Sequence, residues 1–408
     1  MTIGVGGSNA QDELARLGSM RTASAPVPES EFSLRRENAA ALMREHEFDA
    51  VYVHAGSNLY YFTGTRWHPS ERMVGAIITP AGGIDYIVPA FEQATFDKYR
   101  LLDGAIHCWQ EHESPFALFA SILHDAGIYG GRIGIDEATP FHHFGEISLA
   151  APAHRYRDAR PVTAGCRSRK STHEIHLLQT AKDMTLDVHK SAARVLRAGI
   201  STTEVAAFID QAHKAIGAAG GSTFCAVQFG EATAYPHGVP DPQVLQQGDI
   251  VLIDTGCLVG GYHSDITRTY VFGDPTSRHE VVWNAEKNAQ AAAFAAAVPG
   301  ARCGDVDIAA RSYLESLGYG PDYGIPGLPH RTGHGIGLDI HEWPYLVRSD
   351  DTRLDTGMCF SNEPMICIYG EFGVRLEDHF YMTGDGAKWF TTPSPSIDDP
   401  FGYGSGQG

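Results

Sequence analysis

Asp254, Asp265, His334, Glu363 and Glu377 each lie in a short segment that reads as a strand or strand end, and this limits what the chain can fold into. Ile250–Ile253 is apolar without a break ahead of Asp254, and Asp265 lies in a second strand-like segment, Tyr262–Tyr270. Strand ends that carry acids into an interior must deliver them to a cation, because unpaired buried carboxylates are too costly to keep. Four carboxylates and one imidazole suit two divalent ions held side by side. Such a pair polarises a carbonyl and makes water nucleophilic near neutral pH. The residue types alone therefore point to a two-metal hydrolase.

The spacing supports convergence. Asp265 stands eleven residues after Asp254 with Gly260-Gly261 between them, the pattern of a hairpin that brings both aspartates together. Thr267 shares a strand face with Asp265 and is placed to orient a carboxylate. His334 lies in His330-Arg-Thr-Gly-His-Gly-Ile-Gly-Leu-Asp-Ile-His-Glu-Trp-Pro344, where histidines serve as ligands or proton carriers and glycines let backbone approach a ligand. Glu363 precedes Pro364, and Arg375 shares a face with Glu377, where a guanidinium can hold an acid or a substrate.

A weak repeat runs through the same region. Gly199-Ile-Ser-Thr-Thr-Glu-Val205 resembles Gly300-Ala-Arg-Cys-Gly-Asp-Val306, and each follows one helix and opens another. Gly248–Asp254 resembles Gly357–Glu363, each a glycine, a strand and an acid six residues on. Two equivalent halves imply a pseudo-symmetric catalytic domain with the site at the seam. Ahead of it, a helix over Phe32–His46 and strands at Asp49–His54, Tyr60–Gly64, Met73–Thr79, Gly83–Pro89 and Gly131–Asp136 form a small α/β domain. The expected division is a mobile tail over 1–30, an N-terminal domain over 31–166, a catalytic domain over 167–390 and a loose tail over 391–408. Capping boxes at Ser171–Glu174 and Ser201–Glu204 predict helix starts.

The chain has 408 residues, enough for two or three domains with real cores. Its net charge of −18 argues against nucleic acid and anionic membrane partners. Seven scattered cysteines without a C-x-x-C pair favour reduced thiols and a cytoplasmic location. No signal-peptide pattern or membrane-length apolar tract is read in the sequence.

Pro236-His-Gly238, Asp265-Ile-Thr-Arg-Thr-Tyr270, Gly333-His-Gly-Ile-Gly-Leu-Asp-Ile-His-Glu342, Asn362-Glu-Pro364 and Val374-Arg-Leu-Glu-Asp378 together resemble the proline-specific metallopeptidases of the pita-bread fold, the prolidases and aminopeptidases P. The resemblance covers roughly 31–390. It implies an α/β (α+β) architecture, a creatinase-like N-terminal domain plus a pseudo-symmetric pita-bread domain. It also implies roles. Asp254 would bind one ion in bidentate fashion, Asp265 and Glu377 would bridge both, and His334 and Glu363 would complete the other shell. Glu363 would shuttle the proton of the attacking water, His237 and His341 would steady the tetrahedral intermediate and substrate carbonyl, His330 would line the proline pocket, and Arg375 would stand near the substrate. The resemblance implies two divalent ions per subunit, Mn²⁺ first with Zn²⁺ or Co²⁺ as alternatives, and a homodimer acting on Xaa-Pro dipeptides or short proline-containing peptides.

The chain departs from the pattern at Val259, where relatives often carry a tyrosine, and this removes a hydroxyl near the ions. The preferred reading is an Xaa-Pro dipeptidase. The alternatives are an aminopeptidase P acting on longer peptides and a metal-free partner-binding module on the same fold. An aspartic protease built on Asp254-Thr-Gly256 and Asp355-Thr-Gly357 is disfavoured, because Asp355 follows polar sequence and the chain is rich in helix.

Overall fold

The computed structural model describes residues 1–21 and 25–405, which fall into two compact units, Pro26–Arg167 and Met1–Ala25 with Ser168–Gly408. The first unit is a mixed six-stranded sheet in the order β4-β3-β2-β1-β5-β6. Its strands are β1 (Ala50–His54), β2 (Gly75–Ile78), β3 (Ile84–Pro89), β4 (Ala105–Trp109), β5 (Arg132–Ile135) and β6 (Arg155–Asp158). β2 and β3 form the hairpin expected at Gly82-Gly83, where Gly82 takes φ +90°. Tyr52, Ile87 and Ile133 pack with Phe119, Leu123 and Ile147 in one apolar cluster.

Tyr60–Gly64, expected as a strand, is instead the end of a helix over Ser57–Thr63. Gly56 at φ +124° breaks the chain away from β1, and Gly64 at φ +72° closes the helix in the left-handed region. Asn58 through Thr63 are all buried. A short segment buried on every side has no polar stripe to betray its period.

The second unit holds two helix pairs, each joined to antiparallel strands. The first pair is Thr172–Arg194 and Thr202–Ile216, both opened by the expected capping boxes. It packs against β7 (Phe224–Phe229), β8 (Ile250–Gly256) and β11 (Ile266–Val271), ordered β11-β8-β7. A small hairpin of β9 (Leu258–Val259) and β10 (Tyr262–His263) sits at the turn between β8 and β11. The second pair is Ser277–Ala296 and Cys303–Ser316. Its sheet is ordered β13-β12-β14-β17-β18, from β12 (Gly333–Gly335), β13 (Glu342–Leu346), β14 (Cys359–Asn362), β17 (Asp378–Thr383) and β18 (Gly386–Trp389). β15 (Met365–Ile368) and β16 (Phe372–Arg375) form a separate hairpin. Helix, helix, then strands occurs twice, as the repeat implied.

Among the described residues, neither terminal segment is a loose tail. Ala10–Arg16 is helical, and Glu13 is fully buried and accepts from Arg194 Nε at 2.7 Å. Thr2 N donates to Gly273 O, and Ile3 N to Asp398 O at 2.7 Å, so the two ends of the chain meet. Thr391 Oγ1 donates to Asp378 Oδ1 at 2.6 Å, Ser394 and Ile397 are buried, and Phe401 meets Tyr270 edge-on. Small polar residues resemble linker by composition, but here their backbone groups are bonded to the catalytic unit. Positions 22–24 and 406–408, which the expected tails include, lie outside the described residues.

Two buried histidines brace the first helix pair. His189 Nε2 donates to Ile266 O at 2.9 Å, and His213 sits between Thr185 Oγ1 and Ser222 Oγ. Burial pushes His189 down to about 3 and His213 to about 4. Unfolding returns each to its ordinary value near 6.5, so below that pH the unfolded chain binds more protons than the folded one. Stability is therefore expected to fall as pH is lowered from about 6.5 toward about 4. Melting temperature measured in chelator across that range, in wild type and in His213→Gln, checks this; an identical slope in both would clear His213.

Candidate metal centre

The strand register brings the five sequence candidates together. Thr267 pairs with Asp254 across β11 and β8, and Asp265 stands just ahead of β11. Asn362 pairs with Asp378 across β14 and β17. Glu363 and Glu377 are the next residues beyond that pair, so they leave the ladder side by side. His334 lies on β12, which pairs with β14 at Gly335 and Phe360. Glu377 N donates to Thr267 O at 3.1 Å, joining the two halves at the acids themselves.

Among the described residues, three overlapping groups offer ligand atoms within 4.8 Å of one another: Asp265 with His334 and His341, Asp265 with Glu377 and His379, and His334 with Glu363 and Glu377. Asp254 approaches from the side. Its Oδ2 accepts from Arg375 Nη2 at 2.6 Å, whereas its buried Oδ1 has no hydrogen-bond partner among the described residues.

The donors are arranged for a cation. His334 Nδ1 lies 3.0 Å from Gly335 O, so Nδ1 carries the ring hydrogen and Nε2 presents a lone pair. That lone pair points at acid oxygens, 3.1 Å from Glu363 Oε1 and 3.7 Å from Asp265 Oδ2. Asp265 Oδ1 is likewise buried and unpartnered among the described residues. Lone pairs facing lone pairs in a buried site repel unless a positive charge lies between them. The ionisation of the acids agrees. Burial, then Glu377, Asp254 and Glu363, drives Asp265 well above the usual carboxylate range. Glu377 is driven up in the same way by burial and by Glu363 and Asp254. Burial also raises Asp254, against the pull of Arg375. Glu363 is opposite: burial raises it, but the positive charge around it, Arg375 included, holds it well below its ordinary value. The residues fit divalent metal.

The surrounding shell is largely one that sequence reasoning missed. Arg268, almost fully buried, grips Asp378 through both guanidinium nitrogens at 2.7 and 3.3 Å and donates to Glu377 O at 2.9 Å. Gln290 Nε2 donates to Leu376 O at 3.0 Å and Asn362 O at 3.3 Å, and Glu286 Oε1 accepts from Leu376 N at 3.2 Å. One helix thus fastens both acid-bearing corners. Ser361 Oγ accepts from His334 N and donates to Glu363 Oε1 at 3.1 Å. The expected role of Thr267 has a partner: its hydroxyl donates to Glu377 Oε2 at 2.9 Å. Arg375 differs from expectation in one respect. Its guanidinium is held by Asp254, Thr267 Oγ1 at 3.1 Å and Pro236 O at 3.1 Å, so it is committed to the protein.

His341 meets His334 edge-to-face with ring centroids 4.1 Å apart. Burial, then His334 and Arg331, pushes it down to about 4. His237 is exposed and close enough for its charge to act on His341. His330 is turned by a 2.7 Å bond between Nδ1 and Arg331 O, leaving a buried Nε2 beside the charge of Glu363. Val259 pairs with Tyr262 in the small hairpin. Asp355, the second aspartate of the protease rival, is half-exposed and bonded to Arg169 at 2.9 Å, in no dyad with Asp254.

Residues 176–384 match metallopeptidase family M24, and residues 35–169 match the creatinase/prolidase N-terminal domain. Dipeptidase PepE from Mycobacterium ulcerans is similar in structure with a TM-score of 0.84 and 30% identity, over 91% of this chain and 99% of that one. Prolidase from Thermococcus sibiricus gives a TM-score of 0.80 and 30% identity, over 88% and 97%. X-Pro aminopeptidase from Thermotoga maritima gives 0.76 and 25%, over 89% and 98%. The expected architecture, a creatinase-like domain ahead of a pita-bread domain, is the one present.

Proposed function

Because the chain belongs to metallopeptidase family M24 and carries a creatinase/prolidase N-terminal domain, we propose that it is an Xaa-Pro dipeptidase that uses two divalent ions to cleave the bond before a C-terminal proline. The single observation that carries the two-metal reading is the inward-facing set of unpaired donors, Asp254 Oδ1, Asp265 Oδ1 and His334 Nε2, among four mutually repelling acids. The same names among the similar structures, prolidase and dipeptidase, support the substrate class.

Asp254, Asp265, His334, Glu363 and Glu377 would hold the ions, Asp265 and Glu377 being placed to serve both. Oxygen donors dominate, which favours Mn²⁺ over softer ions. When bound, the ions supply Lewis acidity and an activated water. The protein's own part is positioning and proton transfer. Glu363, whose Oε1 accepts from Ser361 Oγ at 3.1 Å and faces His334 Nε2 at 3.1 Å, takes the proton of the attacking water and hands it to the leaving proline nitrogen. His341 stays neutral through the working pH range, so it offers an N–H to the developing oxyanion without adding charge. His237 joins it from the exposed side, and His330 borders the proline ring. Arg375 acts on Asp254, fixing the carboxylate's orientation while its own charge lowers the cost of burying the acids. Assembly as a homodimer and a cytoplasmic location belong to the same proposal; sedimentation velocity and fractionation test them.

Substrate choice is tested by proline release from Ala-Pro and Leu-Pro beside an Xaa-Pro-Yaa tripeptide, all with Mn²⁺. The expected result is cleavage of the dipeptides with little of the tripeptide. Efficient tripeptide cleavage transfers the assignment to aminopeptidase P, and cleavage of neither, with metal bound, refutes the substrate class.

A further inference from the structure

We propose that His379 is a positioning residue of the metal centre: it holds Glu377 through a hydrogen bond from Nε2 and so sets how tightly the centre keeps its ions. The inference rests on the two-metal reading above. His379 stands in none of the motifs that single out the five ligand positions.

The geometry is specific. His379 Nε2 lies 3.2 Å from Glu377 Oε1, on the opposite oxygen from the one bonded by Thr267 at 2.9 Å. A carboxylate only accepts, so Nε2 carries the hydrogen. Both oxygens of Glu377 therefore have a fixed protein donor, and the carboxylate's rotation is set before any ion arrives. The ring cannot swing away. His379 is fully buried, paired in register with Ser361 across β14, and its carbonyl accepts from Phe390 N at 2.8 Å.

A second observation points the same way. Ser361 and His379 are direct cross-strand partners, so their side chains share one sheet face. Each bonds the acid two residues away in its own chain segment: Ser361 reaches Glu363 Oε1 at 3.1 Å, and His379 reaches Glu377 Oε1. The pair acts as a floor on which the two glutamates stand. Asp378, between Glu377 and His379, faces the other side and is taken by Arg268. Imidazole brings a donor to a buried carboxylate that otherwise presents Oε1 without one.

The test uses chelator-dialysed full-length wild type, His379→Leu and His379→Gln, titrated with Co²⁺ and followed by visible absorption, with melting temperatures taken in chelator. Leucine removes the donor; the glutamine amide can return one near the Nε2 position. The expected result is Co²⁺ affinity lower by roughly 10–100-fold in His379→Leu, substantial recovery in His379→Gln, and similar metal-free melting of all three. Wild-type affinity in His379→Leu overturns the proposal. So does equal loss in both variants accompanied by an equal drop in metal-free melting, which assigns His379 to the core alone. X-ray absorption in which the histidine count on cobalt falls by one between wild type and His379→Leu also overturns it, by making His379 a ligand. If wild type itself takes up no Co²⁺, the two-metal reading fails first.

Discussion

Asp265→Asn is expected to abolish proline release while leaving the metal-free protein as stable as wild type or more so. Asp265 sits among three other acids, and burial together with Glu377, Asp254 and Glu363 raises its folded-state pKa well above the ordinary value. An acid whose folded pKa is raised destabilises the metal-free fold increasingly as pH rises from about 4 through that folded pKa, because the unfolded chain ionises more readily. Asparagine removes that charge while keeping the shape. In chelator at neutral pH its melting temperature should therefore match or exceed that of wild type. With Mn²⁺ added the order should invert, because only wild type gains the full binding free energy of the ions. Activity should fall by more than the roughly 10–100-fold that a change behind the ligands costs. Glu377→Gln should behave alike, since it faces the same neighbours. A variant that keeps turnover, or one that melts well below wild type in chelator, contradicts this account of why the acids are there.

The second large effect is on folding. Arg268→Ala is expected to destabilise the catalytic unit by about 3–5 kcal/mol, the usual cost of leaving one member of a buried ion pair alone. Arg268 and Asp378 are 1% and 0% exposed at their side chains, and their 2.7 Å contact ties β11 of one half to β17 of the other. Removing the guanidinium leaves Asp378 with Thr391 Oγ1 and Gln290 Nε2, and leaves Glu377 O without a donor it now has at 2.9 Å. Urea unfolding in chelator measures the loss. Metal affinity should fall as well, since Glu377 is set by the same guanidinium. A loss below about 1 kcal/mol, the range of an exposed pair, would show that this ion pair does little to hold the halves together.

Much of this centre is legible in the sequence because metal chemistry demands residue types that cannot be hidden. Asp254, Asp265, His334, Glu363 and Glu377 are acids and an imidazole set among apolar strands and glycines. Their convergence also follows from local signals, the Gly260-Gly261 turn and the repeated glycine–strand–acid pattern. What supports them is not local. Arg268 and Asp378 are 110 residues apart, and Gln290 reaches Asn362 across 72. No periodicity announces such partners, which exist only once two sheets are placed against each other. His379 was hidden for the same reason, since its role depends on the register that sets it opposite Ser361. The misread segments have separate causes. Asn58 through Thr63 are buried on every side, so a helix there has no exposed stripe to reveal it. The terminal segments are polar in composition, yet backbone bonds such as Ile3 N to Asp398 O and the burial of Glu13 fix them.

The most direct measurement is metal dependence of dipeptide cleavage. Protein dialysed against chelator should release no proline from Ala-Pro. Graded addition of Mn²⁺ should restore release, with two equivalents bound per chain at full activity by elemental analysis. Turnover that persists in metal-free protein, or full activity reached with a single bound equivalent, would contradict the two-metal account of this site.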